Sequence, residues 1–272
     1  MSSGVETGRY RVREGEKVSL KRWSPDDTSG FSGAEAEALE ESKKLVLKLE
    51  RLQEVLYAEH KHKVLIVLQA MDTGGKDGTI KKVFEGVNPQ GVGVAHYRTP
   101  TPEEADHDFL WRVHAQAPGS GEMVIFNRSH YEGVLIERVH GLVPRKTWMR
   151  RYKEIEHFEH LLHEDHTVIL KFFLHIDKDE QKRRLEERLK DPSKQWKFSL
   201  SDLQERKLWD KYMKAYEDAL QNTSKESSPW YVIPANKKWF RDLLVSSIIV
   251  ERLEELGMEY PKPSVDLKSV AI

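Results

Sequence analysis

The feature that most constrains the fold is a short apolar run that leads directly into a glycine-rich loop. Residues 64–68 are an unbroken series of β-branched residues and leucine, which is typical of a strand covered on both faces. Three glycines surround Lys76 in the loop that follows, and a helix is predicted to begin near Thr79. Such a loop can turn its backbone N–H groups inward, and the helix N-terminus adds positive charge. The segment therefore predicts a phosphate-binding loop.

This loop departs at two places from the common pattern G-x-x-x-x-G-K-[ST]. Ala70 replaces the first glycine, and Asp77 stands where a serine or threonine would help to hold magnesium. Lys76 keeps the position of the lysine that follows a phosphoryl group during transfer. Asp72 either recruits a metal ion or orients the attacking oxygen, or it merely caps the turn. The alternative interpretation of the whole segment is an ordinary glycine-rich turn.

Apolar runs alternate with amphipathic or charged stretches along most of the chain. This alternation predicts an α/β fold, in which right-handed crossovers build a parallel sheet with helices on both faces. Ligands bind such sheets at the carboxyl ends of the strands. The predicted strands cover residues 64–68, 92–97, 123–126, 168–176 and 230–233, and the main predicted helices cover residues 34–60, 102–115, 131–139, 145–163 and 237–256.

The chain divides into an irregular N-terminal arm, residues 1–33, and one domain, residues 34–272. Within that domain, residues 177–228 interrupt the alternation, because they contain two charged helices, about 178–190 and 199–221, and no strand. A helical insertion between the last two strands is typical of a mobile lid over the active edge of the sheet. A helical hairpin packed as scaffold is the alternative. The leucine stripe on residues 34–60 fits either an interface between subunits or packing within the domain.

Polar residues follow the third predicted strand. Asn127 carries no charge with which to bind magnesium firmly, whereas Arg128 could bind two phosphate oxygens at once. Glu132 and Glu137 lie five residues apart, too far round a helix to share a face. One of them is expected to face the site and the other to pair with a neighbouring arginine such as Arg138.

Composition excludes several classes of function. The chain has no cysteine, so it has no disulfide framework and no thiol nucleophile. Its 44 basic and 45 acidic residues give a net charge of −1, and we expect neither a nucleic acid nor a membrane as partner. Without a signal-like leader or a long apolar run, the chain is predicted to be cytoplasmic. Basic residues cluster in residues 145–153 and 181–197, which indicate either a track for a linear polyanion or solvated helix faces.

Four motifs together resemble those of the second polyphosphate kinase family, the polyphosphate:nucleotide phosphotransferases. They are DTGGKDGTI at 72–80, NRSHYE at 127–132, QWKFS at 195–199 and PWYV at 229–232, and the resemblance runs from about residue 43 to residue 256. It implies a P-loop kinase-like fold similar to thymidylate kinase, a parallel sheet with flanking helices and a helical lid. It also implies Mg²⁺ as cofactor, with Mn²⁺ as the alternative ion, and a homodimer or homotetramer.

The resemblance and the loop chemistry together give a predicted site. The expected catalytic residues are Asp72, which would also hold the metal, Lys76, Arg128 and Arg188. The expected phosphate-binding residues are Thr73, Gly74, Gly75, Lys76, Asp77, Gly78, Thr79, Lys81, Lys194 and Lys197. The expected nucleotide-binding residues are Asn127, Arg128, Tyr131, Glu132 and Glu137.

The function that this resemblance implies is transfer of phosphate from inorganic polyphosphate to AMP and ADP. Many members of the family have aspartate where this chain has Asn127 and asparagine where it has Glu132; the pair found here resembles the subgroup that accepts both nucleotides. Two alternatives share the loop. One is a nucleoside or nucleotide kinase that uses ATP, and the other is a P-loop module that binds nucleotide without catalysis.

Overall fold

The computed structural model describes residues 4–269, so the first three residues of the predicted arm and the last three of the predicted domain lie outside the described residues. Five strands form one sheet in which each neighbouring pair is parallel. They are β1 (Lys63–Gln69), β2 (Val92–His96), β3 (Met123–Asn127), β4 (Thr167–His175) and β5 (Trp230–Pro234). Their order is β2-β3-β1-β4-β5. The predicted α/β class with a parallel sheet is confirmed.

The helices between and around the strands vary from one turn to seven. They are α1 (Glu35–Glu59), α2 (Lys76–Val83), α3 (Pro102–Asp106), α4 (Trp111–His114), α5 (Ile136–Val139), α6 (Arg145–Glu164), α7 (Lys178–Lys190), α8 (Leu200–Lys207), α9 (Trp209–Thr223) and α10 (Lys238–Glu254). Short 3₁₀ turns cover Thr7–Tyr10, Leu20–Arg22, Pro89–Gly91, His130–Val134, Gln195–Lys197 and Leu267–Ser269. No helix within residues 4–269 is long and apolar enough to cross a membrane.

Four predicted helices are wrong in detail. The helix predicted over residues 102–115 is divided into α3 and α4, because the Asp108 carboxylate accepts a hydrogen bond from the Leu110 N–H at 2.9 Å and competes with the helical pattern. Residues 131–139 form a 3₁₀ turn and then the single turn α5, and residues 199–221 are divided at Leu208 into α8 and α9. The helix after the glycine-rich loop begins at Lys76, three residues before the predicted start.

The leucine stripe of α1 packs inside the domain. Leu45, Leu49 and Leu56 are buried, and α1 lies along α10. Burying an apolar stripe of this kind stabilises a helix that is otherwise charged. The intramolecular alternative from the sequence therefore accounts for the stripe.

The segment before α1 lies beside β5. The Val12 N–H donates to the Trp230 carbonyl at 2.9 Å, and the Ser224 hydroxyl donates to the Val12 carbonyl at 2.7 Å. Tyr10 is fully buried, and its hydroxyl donates to Asp27 at 3.0 Å. Because β5 is an edge strand, these contacts cover backbone groups that would otherwise be open to pairing with another chain.

A polar cluster lies in the core beneath the carboxyl ends of the strands. The fully buried ammonium group of Lys171 on β4 donates to Glu159 of α6 at 2.5 Å, to the Thr223 carbonyl at 2.7 Å and to the Tyr131 hydroxyl at 3.0 Å. Burial alone would raise the pKa of Glu159, but Lys171 and His130 outweigh it and lower that pKa from 4.5 to about 2. The cluster joins β4, α6, the end of α9 and the 3₁₀ turn after β3.

We predict that Lys171→Met lowers the free energy of unfolding by about 3–5 kcal/mol, because it leaves the Glu159 carboxylate in the core without the charge of the lysine ammonium group. Lys63→Met is the matched control. Lys63 pairs with Asp165, whose side chain is exposed, so its loss should cost about 1 kcal/mol or less. Urea titration followed by circular dichroism measures both.

The same pair predicts a dependence of stability on pH. Because the pKa of Glu159 is lower in the folded protein, the contribution of Glu159 to stability is complete above pH 4.5 and is lost as the pH falls towards 2.

Equal, small losses of stability for the Lys171→Met and Lys63→Met variants at pH 7 would contradict the role given to the buried cluster.

Candidate active site

The carboxyl ends of β1, β2 and β3 border a cleft of about 660 Å³. The loop after β1, the helices α7 and α8 with the turn between them, and the start of α10 form its other sides. Its lining consists of Asp72, Thr73, Gly74, Gly75, Lys76, Asp77, Gly78, His96, Tyr97, Arg98, Asn127, Arg128, Arg184, Glu187, Arg188, Lys194, Trp196, Lys197, Asp202, Lys238 and Arg241. The structure thus brings most of the predicted site residues together.

The glycine-rich loop passes closely under an arginine. Gly75 caps α2 with φ +105°, a conformation that side chains rarely adopt. A methyl group on Gly75 would overlap the guanidinium group of Arg241. The Lys76 ammonium group donates to the Ala70 carbonyl at 3.0 Å, across the loop. The loop therefore brings backbone and two cations to one place, as phosphate binding requires.

Asp72 and Arg128 connect the loop to the end of β3. The Arg128 guanidinium donates to the Asp72 carboxylate at 3.0 Å. Arg128 has φ +65° and Thr73 has φ +63°, and such conformations cost energy for residues other than glycine. The Arg128 N–H donates to the Leu68 carbonyl at 3.1 Å, which holds this turn against β1. One of these two residues, Arg128, belongs to the ion pair with Asp72, and the other, Thr73, directly follows Asp72.

Asp77, the residue that departs from the common pattern, is bonded from two sides. Its carboxylate accepts from the Asn127 amide and from the Lys197 ammonium group, each at 2.9 Å. Burial would raise the pKa of Asp77, but Lys197 and Asn127 hold it below its ordinary value. Asp77 therefore joins the phosphate loop both to β3 and to the turn between α7 and α8.

Helix α7 holds the backbone of the loop. The Gln181 amide donates to the Asp72 carbonyl at 3.1 Å, and the Arg184 guanidinium donates to the Thr73 carbonyl at 3.0 Å. Arg188, one turn further along, donates to Asp202 of α8 at 3.1 Å. α7 thus orients the loop, and α7 and α8 cover one side of the cleft. Movement of this segment as a lid stays a prediction.

The electrostatics of the cleft favour an added anion. Burial lowers the pKa of Lys76, and the neighbouring Arg128 lowers it further, against the opposing effect of Asp72 and other acids. Burial raises the pKa of Asp202, and Asp72 adds to that rise. An anionic ligand would restore the pKa of Lys76 by neutralising the positive charge around it.

Five predicted site residues do not line the cleft. Thr79 is buried in the core, Lys81 is exposed on α2, and the Tyr131 hydroxyl lies in the Lys171 cluster. Glu137 pairs with Arg151 at 2.6 Å, whereas Arg138 pairs with Asp218, so the expected partner was wrong. Glu132 is half-buried close to Arg128 and Lys76; burial raises its pKa, and these two cations oppose the rise.

The two basic stretches have different positions. Of the cations in residues 181–197, Arg184, Arg188, Lys194 and Lys197 line the cleft, while Lys182 and Arg183 pair with glutamates along α7. The cations of residues 145–153 lie on α6, outside the cleft lining. Of the two stretches, only residues 181–197 border the candidate site.

The predicted site residues did not include several residues that line the cleft, chiefly Arg184, Lys238 and Arg241. Arg241 lies in the first turn of α10, where Phe240, Leu243 and Leu244 are buried. An arginine within so apolar a stripe is the signal that could have identified it, because a buried charge needs a partner. Arg184 carried a similar signal, since it occupies the inner face of α7 beside Leu185.

The donor set fits a magnesium ion held mainly by substrate. Mg²⁺ is usually bound by one or two carboxylates together with water and phosphate oxygens. Asp72 supplies such a carboxylate at the cleft, whereas both oxygens of Asp77 are bonded to other side chains. Residues 4–269 contain no group of three or more His, Cys, Asp or Glu side chains placed to hold a metal. The chain's own contribution would thus centre on Asp72.

Comparison with known proteins gives consistent matches. The family described as polyphosphate kinase 2 matches residues 33–261. An AMP/ADP-polyphosphate phosphotransferase of Meiothermus ruber is 57% identical over 97% of this chain and 99% of its own length. An ADP-polyphosphate phosphotransferase of Rhodopseudomonas palustris is 45% identical over 95% of this chain and 93% of its own length. The crystal structure of polyphosphate kinase 2 from Arthrobacter aurescens superposes with a TM-score of 0.94 at 42% identity, covering 99% of this chain and 95% of that one.

We predict that Gly75→Ala weakens the binding of tripolyphosphate by about tenfold or more, because the new methyl group strains the loop and displaces Arg241. Gly8→Ala is the matched control. A methyl group on Gly8 would meet nothing within 4 Å, and Gly8 lies in the 3₁₀ turn Thr7–Tyr10, outside the cleft lining. Titration calorimetry measures both affinities, and circular dichroism checks the fold. An affinity of Gly75→Ala equal to that of the wild type would contradict binding of the anion by the loop.

Proposed function

The chain belongs to the polyphosphate kinase 2 family, and on that premise we propose that it transfers phosphoryl groups from inorganic polyphosphate to AMP and ADP. The observation that carries the proposal is the charge of the cleft. Among residues 4–269, nine lysine or arginine side chains line it against four acidic ones. The excess lies around a phosphate loop, although the whole chain has a net charge of −1. A concentrated positive cleft in a nearly neutral protein suits a linear polyanion.

The acceptor range rests on two kinds of support. The relative from Meiothermus ruber is named for both AMP and ADP, and that from Rhodopseudomonas palustris for ADP. Asn127 and Glu132 also resemble the residues at these two positions in the subgroup that accepts both nucleotides. We propose that this enzyme makes ATP from AMP in two successive transfers.

The proposed roles follow from charge and position. Lys76, Arg128 and Arg188 would neutralise the charge on the transferring phosphoryl group, and backbone N–H groups of the loop would hold the neighbouring phosphate. Asp72 would hold Mg²⁺, with Mn²⁺ as the alternative ion, and the bound ion would supply positive charge to offset that of the phosphates. Closure of α7 and α8 would exclude water, which otherwise consumes the donor by hydrolysis. Transfer of this kind depends on positioning and charge more than on covalent chemistry.

Two further proposals concern the state of the enzyme. The family resemblance supports a homodimer or homotetramer, which size-exclusion chromatography with light scattering tests. Because the proposed acceptors are adenine nucleotides, we propose that the enzyme acts in the cytoplasm.

The experiment that tests the activity compares donors. The purified protein is incubated with ADP, Mg²⁺ and either long-chain polyphosphate or GTP, and ATP is measured by chromatography. We expect ATP from polyphosphate, no product after EDTA, and recovery when Mg²⁺ is restored. Transfer from the nucleoside triphosphate alone would favour the ordinary kinase, and binding without turnover would favour a non-catalytic module.

We predict that Asp72→Asn and Lys76→Ala each lower kcat by about a hundredfold or more, because each removes a charge beside the transferring group. The urea midpoint should change little, since neither residue belongs to the apolar core. Lys82→Ala is the matched control on α2; Lys82 is exposed and pairs with Glu85 at 3.2 Å, so its loss should leave kcat within about twofold of the wild type. Full activity in either site variant would contradict the assigned roles.

A further inference from the structure

Trp196 is an exposed tryptophan in an otherwise polar cleft. It lies in the 3₁₀ turn Gln195–Lys197 between α7 and α8, and 77% of it is exposed. The other lining side chains are charged or polar, apart from Tyr97, which is buried. Large aromatic side chains seldom remain so exposed in a soluble protein, and where they do they commonly mark a binding site.

The two aromatic residues of the motif PWYV are not available to a ligand in the cleft. Trp230 and Tyr231 on β5 are both buried. Trp230 donates its indole N–H to Thr223 at 2.9 Å, and Tyr231 lies against Phe172. Their role is packing. Trp196 is the large apolar ring that the cleft lining exposes to a ligand.

The ring of Trp196 is held in one orientation. Its indole N–H donates to the Ser193 carbonyl at 3.0 Å, and the Lys197 ammonium group lies 5.0 Å from the ring centroid. Lys197 also donates to Asp77 in the first turn of α2. The Lys197 ammonium group therefore connects the aromatic ring to the phosphate loop. Because the ring is already oriented, it loses little conformational entropy when a ligand binds.

The chemistry of the two proposed substrates decides what the ring can bind. Inorganic polyphosphate has no apolar surface, so an exposed indole adds nothing to its binding. A nucleotide has a flat base at one end and phosphates at the other. Arg188, Lys194 and Lys197 lie on the same segment as Trp196, and they can hold phosphate while the ring holds the base.

We propose that Trp196 is the stacking platform for the base of the acceptor nucleotide, an inference that rests on the proposed function. Stacking uses the π-face that every base possesses, and it is therefore tolerant of base identity. The enzyme should accept guanine nucleotides as well as adenine nucleotides, and pyrimidine nucleotides more weakly because their single ring offers less contact area.

The test separates binding of the nucleotide from binding of the donor. For Trp196→Ala, we expect the KM for AMP to rise about five- to a hundredfold, the cost of losing one base–aromatic stack. The KM for polyphosphate should stay within about twofold, because the donor does not use the ring. Trp196→Phe keeps an aromatic face and should recover most of the affinity for AMP.

Trp111 provides the matched control. It is 42% exposed, stacks on His107 with centroids 4.2 Å apart, and does not line the cleft. Trp111→Ala should leave both KM values unchanged. Quenching of tryptophan fluorescence by AMP gives a reading that is independent of turnover: it should persist in Trp111→Phe and disappear in Trp196→Phe.

Two results would overturn the inference. If Trp196→Ala raises the KM for polyphosphate and leaves that for AMP unchanged, the ring belongs to the path of the donor. If neither KM changes and AMP still quenches the fluorescence of Trp196→Phe, the ring touches no substrate. In both cases the proposed function would stand as long as the wild-type enzyme transfers phosphate from polyphosphate. If the wild-type enzyme does not, the proposed function is refuted. The quenching test would still show whether AMP lies against Trp196.

Discussion

Arg184 is the residue on which the geometry of the cleft depends most. Its guanidinium group donates to the Thr73 carbonyl in the phosphate loop, to the Ala235 and Asn236 carbonyls after β5, and to Glu180 on its own helix. A planar guanidinium with five donors can satisfy several acceptors at once. One buried side chain thus joins the phosphate loop, the segment after β5 and α7.

The cations of the cleft are paired with acids that a polyanion can replace. Arg128 is bonded to Asp72, Lys197 to Asp77 and Arg188 to Asp202, at 2.9–3.1 Å. Under the proposed function, an entering phosphate would take the place of these carboxylates, and the three cations would need to move little. Charges held in place before the substrate arrives stabilise a transition state without the cost of reorganisation. The Lys197–Asp77 pair also links the segment containing Trp196 to the loop.

The sheet was predictable from the sequence because parallel strands buried on both faces leave continuous apolar runs, such as that of β1. The phosphate loop was predictable from its glycines and lysine. Short helices were not, since a single bond such as Asp108 to Leu110 ends a helix that the periodicity would continue. Tyr131 was placed in the site because its motif follows β3, yet the Lys171 cluster draws its hydroxyl into the core. Arg241 was missed because the loop that it lies against, at Gly75, is distant in sequence.

The most direct test of the central claim follows labelled phosphate from donor to product. Polyphosphate labelled with radioactive phosphorus is mixed with the enzyme, Mg²⁺ and unlabelled AMP, without any other nucleotide. The account predicts that label appears first in the β phosphate of ADP and then in the β and γ phosphates of ATP. Label found only in orthophosphate, with the AMP unchanged, would contradict direct transfer within the cleft and with it the function proposed for this chain.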